Sequence, residues 1–306
     1  MAGTVDVALL CPEGVLDLPS AITYDPKLPT MTFDLAAGCF DAARPSGEEG
    51  TTITATVADF PAPLAPGARV TVGGAPAGNV TVVDSTTISF DMPAGLTAGA
   101  VVDVVVTQGA ESVTAAGALT VCGAITTGTI ILNEFIVNPG GTVDANGDGV
   151  ANVTADEFVE FVNASALPVD LGGYIMADGG AAVRHRFLPG TILQPGAAIV
   201  VFGGGTPVGF APGVAQVAAG ATLSFSNASG GDEVILRTPD GATELINYHY
   251  RGNGEVGGQE WVPMVSLQNI NEGNLALAPV YDQHNLVAGA VGDVSPGLKV
   301  DGTAFP

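Results

Sequence analysis

The chain has 306 residues with 31 acidic against 8 basic side chains, a formal net charge of -23, 43 Gly and 21 Pro, and only 13% charged residues. That length suits two or three domains, each with a core of its own, and the composition excludes a mainly helical protein in favour of short strands joined by tight turns. No stretch gathers Lys or Arg, which argues against nucleic acid and anionic membrane as partners; the acidity serves solubility and, in a sharper reading, affinity for divalent cations.

The amino terminus, "MAGTVDVALLCPEGVLDLP", has no basic n-region. Its apolar run is far short of the roughly 7–15 residues of a signal peptide, and no run in the chain approaches the ~20 residues of a transmembrane helix. The chain as written either stays where it is made or has lost a leader. Residues 1–41 hold "AITYD" and "TMTFDL" around the turn "DPKLP", whose Pro26 and Pro29 interrupt a continuous strand, so an N-terminal arm or small hairpin layer is expected. Cys11, Cys39 and Cys122 have neither CxxC spacing nor the number for a zinc cluster; one bridge, Cys11 to Cys39, is compatible with them and leaves a thiol over.

From Thr51 the pattern becomes regular. "TTITATV", "ARVTVGG", "NVTVVD", "TTISFDM", "VVDVVVT" and "ALTV" are short β-branched runs separated by turn residues, enough for one β-sandwich. This block, residues 42–122, resembles an IPT/TIG immunoglobulin-like domain through "VTVGGAPAGNVTVVDSTTISFDMPAG" and the following "AGAVVDVVVT". Its opening "EGTTITATVADF" departs from the fuller glycine-led start usual in that family.

"GAITTG" provides a small, polar linker over residues 123–128. A second series follows: "IILNEFIV", "EFVEFVN", "GYIMA", "VRHRF", "AAIVVFG", "DEVILR" and "TELINYHY", with the hairpin signal "TPDGA" between the last two. Residues 129–306 resemble a bacterial lamin-tail domain, through "LNEFIVNP", an Asp-rich loop, "DEFVEFVN", "LPVDLGGYIMAD", "HRFLPGTILQPGAAIVVF" and the closing "DVSPGLKVDG". The fold expected is all-β: tandem immunoglobulin-like sandwiches behind a short N-terminal arm. The resemblance also decides "TADEFVEFV", which by itself could begin a helix with a Thr154–Glu157 capping box, in favour of a strand.

Within "DANGDGVANVTADEFVEF", Asp144, Asn146 and Asp148 fall at positions 1, 3 and 5 of a calcium loop, with Gly149 at the turn position. The EF-hand match then fails, because position 12 is Ala155. The oxygens remain: Asp144, Asn146, Asp148 and the Val150 carbonyl form one candidate side of a Ca2+ site, with Asp156 or Glu157 closing the other. The competing reading is a ladder of Asx turns in a long loop.

Glu134 and Glu160 lie in apolar strands, where paired carboxylates doing acid and base work are conceivable. Nothing in the sequence places them together, and capping of backbone donors at a sheet edge is the expectation. His185, His249 and His284 lack metal-ligand spacing, "FGGGTPVG" lacks the Lys and helix of a phosphate loop and reads as a flexible β-loop, and no GxSxG is present. The sequons at Asn79, Asn152, Asn163 and Asn227 reflect Ser and Thr abundance.

With no catalytic constellation, the expected function is a non-enzymatic structural or adhesion protein outside an assembly, either a virion or a bacterial cell surface. Its partners would be other proteins of that assembly, met through loops and sheet edges. The alternative is an accessory module of a secreted enzyme system, binding carbohydrate through Trp261, Tyr248 and Tyr250, or, in the enzyme class, a site built from Glu134, Asp156, Glu160 and calcium.

Overall fold

The computed structural model describes residues 3–11, 14–24, 29–33, 52–61, 63–220, 222–226, 228, 230–250, 264–266 and 281–306, with backbone alone over 3–11, 14–24 and 264–266. Every regular element among them is a strand except one 3-10 turn, His284–Leu286. Strands β1 (Gly3–Cys11) and β2 (Gly14–Tyr24) pair antiparallel as a hairpin.

The first compact unit contains Ile53–Asp91 and Asp103–Ala118 together with the amino terminus. Its strands are β3 (Thr30–Phe33), β4 (Thr52–Ala58), β5 (Arg69–Val72), β6 (Ala75–Pro76), β7 (Gly78–Val82), β8 (Thr87–Asp91), β9 (Val101–Gln108) and β10 (Glu111–Thr120). They sort into two four-stranded sheets, β3-β4-β8-β7 and β10-β9-β5-β6. Strict alternation sets their inward faces. Ile53, Ala55, Val57, Ile88 and Phe90 are buried from the first sheet, and Val70, Val72, Val104 and Val106 from the second, none more than 2% exposed. Burying a side chain such as Phe90 contributes about 1.5–3 kcal/mol.

One boundary differs from the sequence expectation. Residues 30–33, read as part of the arm, form β3 and pair with β4 from Thr30↔Ala58 to Phe33↔Ala55. Half-buried Met31 and Phe33 alternate with exposed Thr30 and Thr32, the amphipathic pattern of an edge strand, so the sandwich begins before residue 42.

The second unit includes everything from Leu119 to Pro306. Its strands are β11 (Ile130–Ile136), β12 (Phe158–Asn163), β13 (Val169–Asp170), β14 (Ile175–Ala177), β15 (Val183–Arg186), β16 (Ile192–Leu193), β17 (Ala198–Phe202), β18 (Ala215–Val217), β19 (Asp232–Arg237), β20 (Glu244–Tyr250), β21 (Met264–Ser266) and β22 (Tyr281–Gln283). Six of them form the sheet β18-β17-β12-β11-β21-β22, four form β15-β14-β19-β20, and β13 pairs with β16. The short β17–β18 pairing is parallel.

The larger sheet is covered on both faces. On its inner side Leu132, Phe135, Val159, Phe161, Ile199 and Val201 pack with Met176, Phe187, Val234 and Leu236 into the main core. On its outer side Ile136, Phe158, Val200 and Phe202 pack under Ala145, Phe210, Val214 and Val294, while Ile131, Val162 and Ala198 pack under Phe305. That double cover is why β11, β12 and β17 read as near-continuous apolar runs rather than alternating ones.

The stretch after β17, read from sequence as a flexible loop, is tied to residues 144–157. The Gly203 and Gly204 amides donate to the carbonyls of Glu157 (2.7 Å) and Ala155 (3.0 Å), and Val208 N donates to Asn146 O (2.8 Å). Gly205 (φ +73) lies so close that a Cβ there would meet Asn146 Nδ2 and the Asp148 carboxylate. Gly205→Ala is therefore expected to cost about 2 kcal/mol. Gly220→Ala, where a Cβ meets open space, should stay within about 0.5 kcal/mol. Urea unfolding of both variants checks this, and equal midpoints would refute the close-approach reading.

Candidate functional site

The outer face of β11 and β12 carries two carboxylates in an apolar surface. Glu134 and Glu160 are direct cross-strand partners, both 0% exposed. The register shifts between Leu132 and Glu134, leaving Asn133 as an extra residue at a bulge. Donors come from the bulge and from the carboxyl-terminal segment. Ser295 offers its amide to Glu134 Oε1 (3.1 Å) and its hydroxyl to Oε2 (2.7 Å). Gly297 N donates to Glu160 Oε2 (2.5 Å), and Asn133 Nδ2 donates to Glu160 Oε1.

All four carboxylate oxygens are thus engaged by the chain itself. No cation faces them among the described residues, and burial pushes Glu134 up to about 7 against the Ser295 donors. Glu160 is held well above the usual carboxylate range, first by burial and then by the charge of Glu134. The expectation that these residues cap backbone donors holds, but at the middle of a six-stranded sheet rather than at its edge. Their adjacency has no sequence signal, because it depends on which strand pairs with β11 and in which register.

The loop between β11 and β12 carries the candidate calcium ligands, and the structure engages their oxygens with backbone amides. Asp144 Oδ2 accepts from Gly149 N (2.8 Å), and Asn146 Oδ1 from Asp148 N (3.0 Å). Asp148 accepts from Val150 N (2.9 Å) and, across to the other loop, from Thr206 N (3.3 Å). Asp156, fully buried, accepts from Asn146 N (3.0 Å) and Asn152 N (2.7 Å). Asn146 Nδ2 donates to Gly204 O (3.2 Å). This is the Asx-turn arrangement.

Glu157 turns elsewhere. Its Oε1 accepts from Asn138 N (3.3 Å), its Oε2 is buried without a hydrogen-bond partner, and burial pushes the group up to about 7. No group of three or more His, Cys, Asp or Glu side chains arranged for a metal occurs among the described residues. The residues at hand meet backbone N–H donors, each of which takes one lone pair of the oxygen it reaches.

The remaining candidates have separate roles. His185 Nε2 bonds Gln216 Oε1 (2.7 Å), its ring sets an edge against Phe187, and burial lowers its pKa. His284 is fully buried with neither ring nitrogen hydrogen-bonded, and burial again favours the neutral form. His249 is exposed, 3.8 Å from Glu233. Of the aromatic group considered for carbohydrate, Tyr250 is buried against Phe135 and Phe225, Tyr248 packs on Tyr281 with ring centroids 4.1 Å apart, and Trp261 lies outside the described residues. Tyr250 is thus a core residue and no part of an exposed platform.

The cysteine expectation is corrected. Cys122 is buried and disulfide-bonded. With three cysteines in the chain, a bridge at Cys122 excludes the Cys11–Cys39 pairing within one molecule. Spacing in sequence carried no information on which two thiols the fold brings together.

The three raised carboxyls, Glu134, Glu157 and Glu160, bind protons more tightly folded than unfolded. They favour the folded state below about pH 4.5, and that contribution is lost as pH rises through their folded values, by up to about 1.4 kcal/mol per pH unit for each group. His185 and His284 act oppositely, but only below about pH 6.5, where the unfolded imidazole takes up its proton. The three carboxyls outnumber the two histidines, so the melting temperature is expected to fall from about pH 5 to about pH 7, and Glu157→Gln to flatten part of that fall. A scan by differential calorimetry tests it; a flat or rising profile would contradict the burial argument.

Two family models match. Residues 42–121 match the IPT/TIG domain, and residues 124–252 match the Lamin Tail Domain. The packed unit continues beyond that second match to Pro306, through β21, β22 and the Ser295 and Gly297 contacts. No curated protein matches the chain. Among solved structures, a Bacteroides thetaiotaomicron VPI-5482 protein titled "Putative phosphatase" aligns with 70% of this chain and 50% of its own length at 14% identity. Its TM-score is 0.19, so it carries no argument here. The strand patterns and the sheets agree with these two matches, an IPT/TIG domain over residues 42–121 followed by a lamin tail domain over residues 124–252, both immunoglobulin-like.

Proposed function

We propose that the protein is a non-enzymatic structural or adhesion component displayed on the outside of an assembly, a virion or a bacterial cell surface, where it binds partner proteins through sandwich loops and edges. The observation that carries this reading is the fate of the paired carboxylates. Glu134 and Glu160, the pair an acid–base enzyme would present to a substrate, are sealed from solvent and engaged by Ser295, Gly297 and Asn133. The loop acids are likewise spent on backbone donors.

The Cys122 disulfide supports an oxidising, exterior setting. The net charge of -23 supports solubility at high local density and disfavours polyanionic partners. The immunoglobulin-like sandwich is shared by many binding and structural modules, which supports a role of that kind here.

Fractionating the source culture into particles, envelope, medium and cytosol, with mass spectrometry of the protein in each, tests the proposal. The expected result is the protein in particle, envelope or medium with Cys122 oxidised. A cytosolic protein with three free thiols would overturn it.

The amides of Gly149, Val150 and Asn152 each occupy one oxygen of Asp144, Asp148 and Asp156, and a carboxylate keeps lone pairs beside such a donor that a calcium ion can share. Asp148→Ala is expected to lower stability by about 1 kcal/mol through two lost acceptors, equally with calcium and with chelator. A calcium-dependent rise in melting temperature that Asp148→Ala removes would establish the ion site instead.

A further inference from the structure

The carboxyl-terminal segment, residues 293–306, lies over the outer face of the large sheet. Val294 packs with Ile136, Phe158, Val200 and Phe202, and Phe305 with Ile131, Val162 and Ala198. Two side chains anchor the segment in the middle: Glu134 takes both polar groups of Ser295, and Glu160 takes the Gly297 amide. The anchoring acids face each other across β11 and β12 with no solvent between them and the core.

We propose that residues 293–306 form a proton-dependent clip, held down while the Glu134–Glu160 pair keeps a proton and lifted when both carboxyls are charged, which uncovers the apolar outer face of the large sheet. This goes beyond display, because it makes one interaction surface of the protein conditional on pH.

The physical basis is that two neighbouring carboxylates in a water-excluded site cannot both ionise cheaply. One proton on the pair leaves a single charge spread over donors that suit it: two from Ser295, one from Gly297 and one from Asn133. The second ionisation adds a like charge directly opposite the first, in a place where no cation answers it.

The charged groups on every neighbouring element leave that charge uncompensated. β17, Ala198–Phe202, carries no titratable side chain, and neither does the sequence of β21. The clip brings one cation, Lys299, which acts on Asp301, and one further acid, Asp293, which acts on His284. The loop from β11 to β12 contributes Asp144 near the clip, on the wall of a cleft of about 590 Å³ that Val294, Pro296, Gly297 and Phe305 also line.

Relief comes most cheaply at the clip. β11 and β12 are held by their ladder and two cores, whereas residues 295–297 are held by the acids and by the packing of Gly297 against Phe210 and Val214. Lifting them admits water to both carboxylates while the sandwich stays intact.

Hydrogen exchange read by mass spectrometry tests the clip in the full chain, comparing peptides over 294–306 and over β17 at pH 5.5, 7.0 and 8.5 after correction for intrinsic exchange. The protection factor over 294–306 should fall by about tenfold or more from pH 5.5 to 8.5 while β17 stays protected. Glu160→Gln and Glu134→Gln each remove the second charge, and either variant that folds should hold the clip at all three pH values. Equal protection at all pH values, a fall shared by β17, or a fall that persists in the folded Gln variant would overturn the proposal. A clip confirmed in a cytosolic protein would leave this inference standing and the display reading rejected.

Discussion

A sheet buried on both faces has no water to offer its polar groups, and this constraint organises the second unit. Glu134 and Glu160 sit where β11 and β12 would otherwise carry two more apolar residues, between Ile136 and Phe158 on one side and Ile131 and Val162 on the other. Each carboxylate oxygen left without a partner there would cost a desolvation penalty of about 1–3 kcal/mol or more. The donors that prevent this come from the Asn133 bulge and from a turn more than 130 residues away in sequence, so the last strands and the carboxyl-terminal segment complete the sandwich rather than decorate it. The acid pair therefore acts as a register mark, because a slip of β11 against β12 by one residue would turn one carboxylate into the inner core.

The same logic shapes the loop of residues 144–157. Its Asp and Asn oxygens answer N–H groups of their own turns, and Asp156 holds both Asn146 and Asn152 at the loop's base. Several ordinary hydrogen bonds, each contributing about 0.5–1.5 kcal/mol, hold the loop together. Glycine at 203 and 205 lets the neighbouring loop approach closely enough to take part. The loop also covers the outer face of the sheet, contributing Ala145 to that packing.

Glu157 and His284 stand apart, as buried groups whose polar atoms are incompletely satisfied. Burial shifts each toward its neutral form, Glu157 upward and His284 downward. A neutral group in an apolar setting costs far less than a charged one, and for both groups burial outweighs the opposite charge nearby, Arg184 for Glu157 and Asp293 for His284.

Much of this was legible in the residues. Alternation in "TITATVA" and β-branched continuity in "AIVVF" identify half-buried and fully buried strands, because side-chain direction along a strand is a local property. The second domain was legible through the resemblance of "LNEFIVNP" and the motifs after it to a lamin-tail domain, whose family match covers residues 124–252. The short strands β13, β16 and β18 gave no local signal, being only two or three residues whose extended form is imposed by their neighbours. Pairing was invisible: the sequence by itself determined that Glu134 and Glu160 occupy strands, that Asp144 to Glu157 is rich in oxygens and that three thiols exist. Only the tertiary structure decided that the two acids are partners under Ser295 and Gly297, that the loop's oxygens face amides, and that Cys122 is bridged. Contacts between residues far apart in the chain depend on register and on what covers each face, and neither is encoded at the residue concerned.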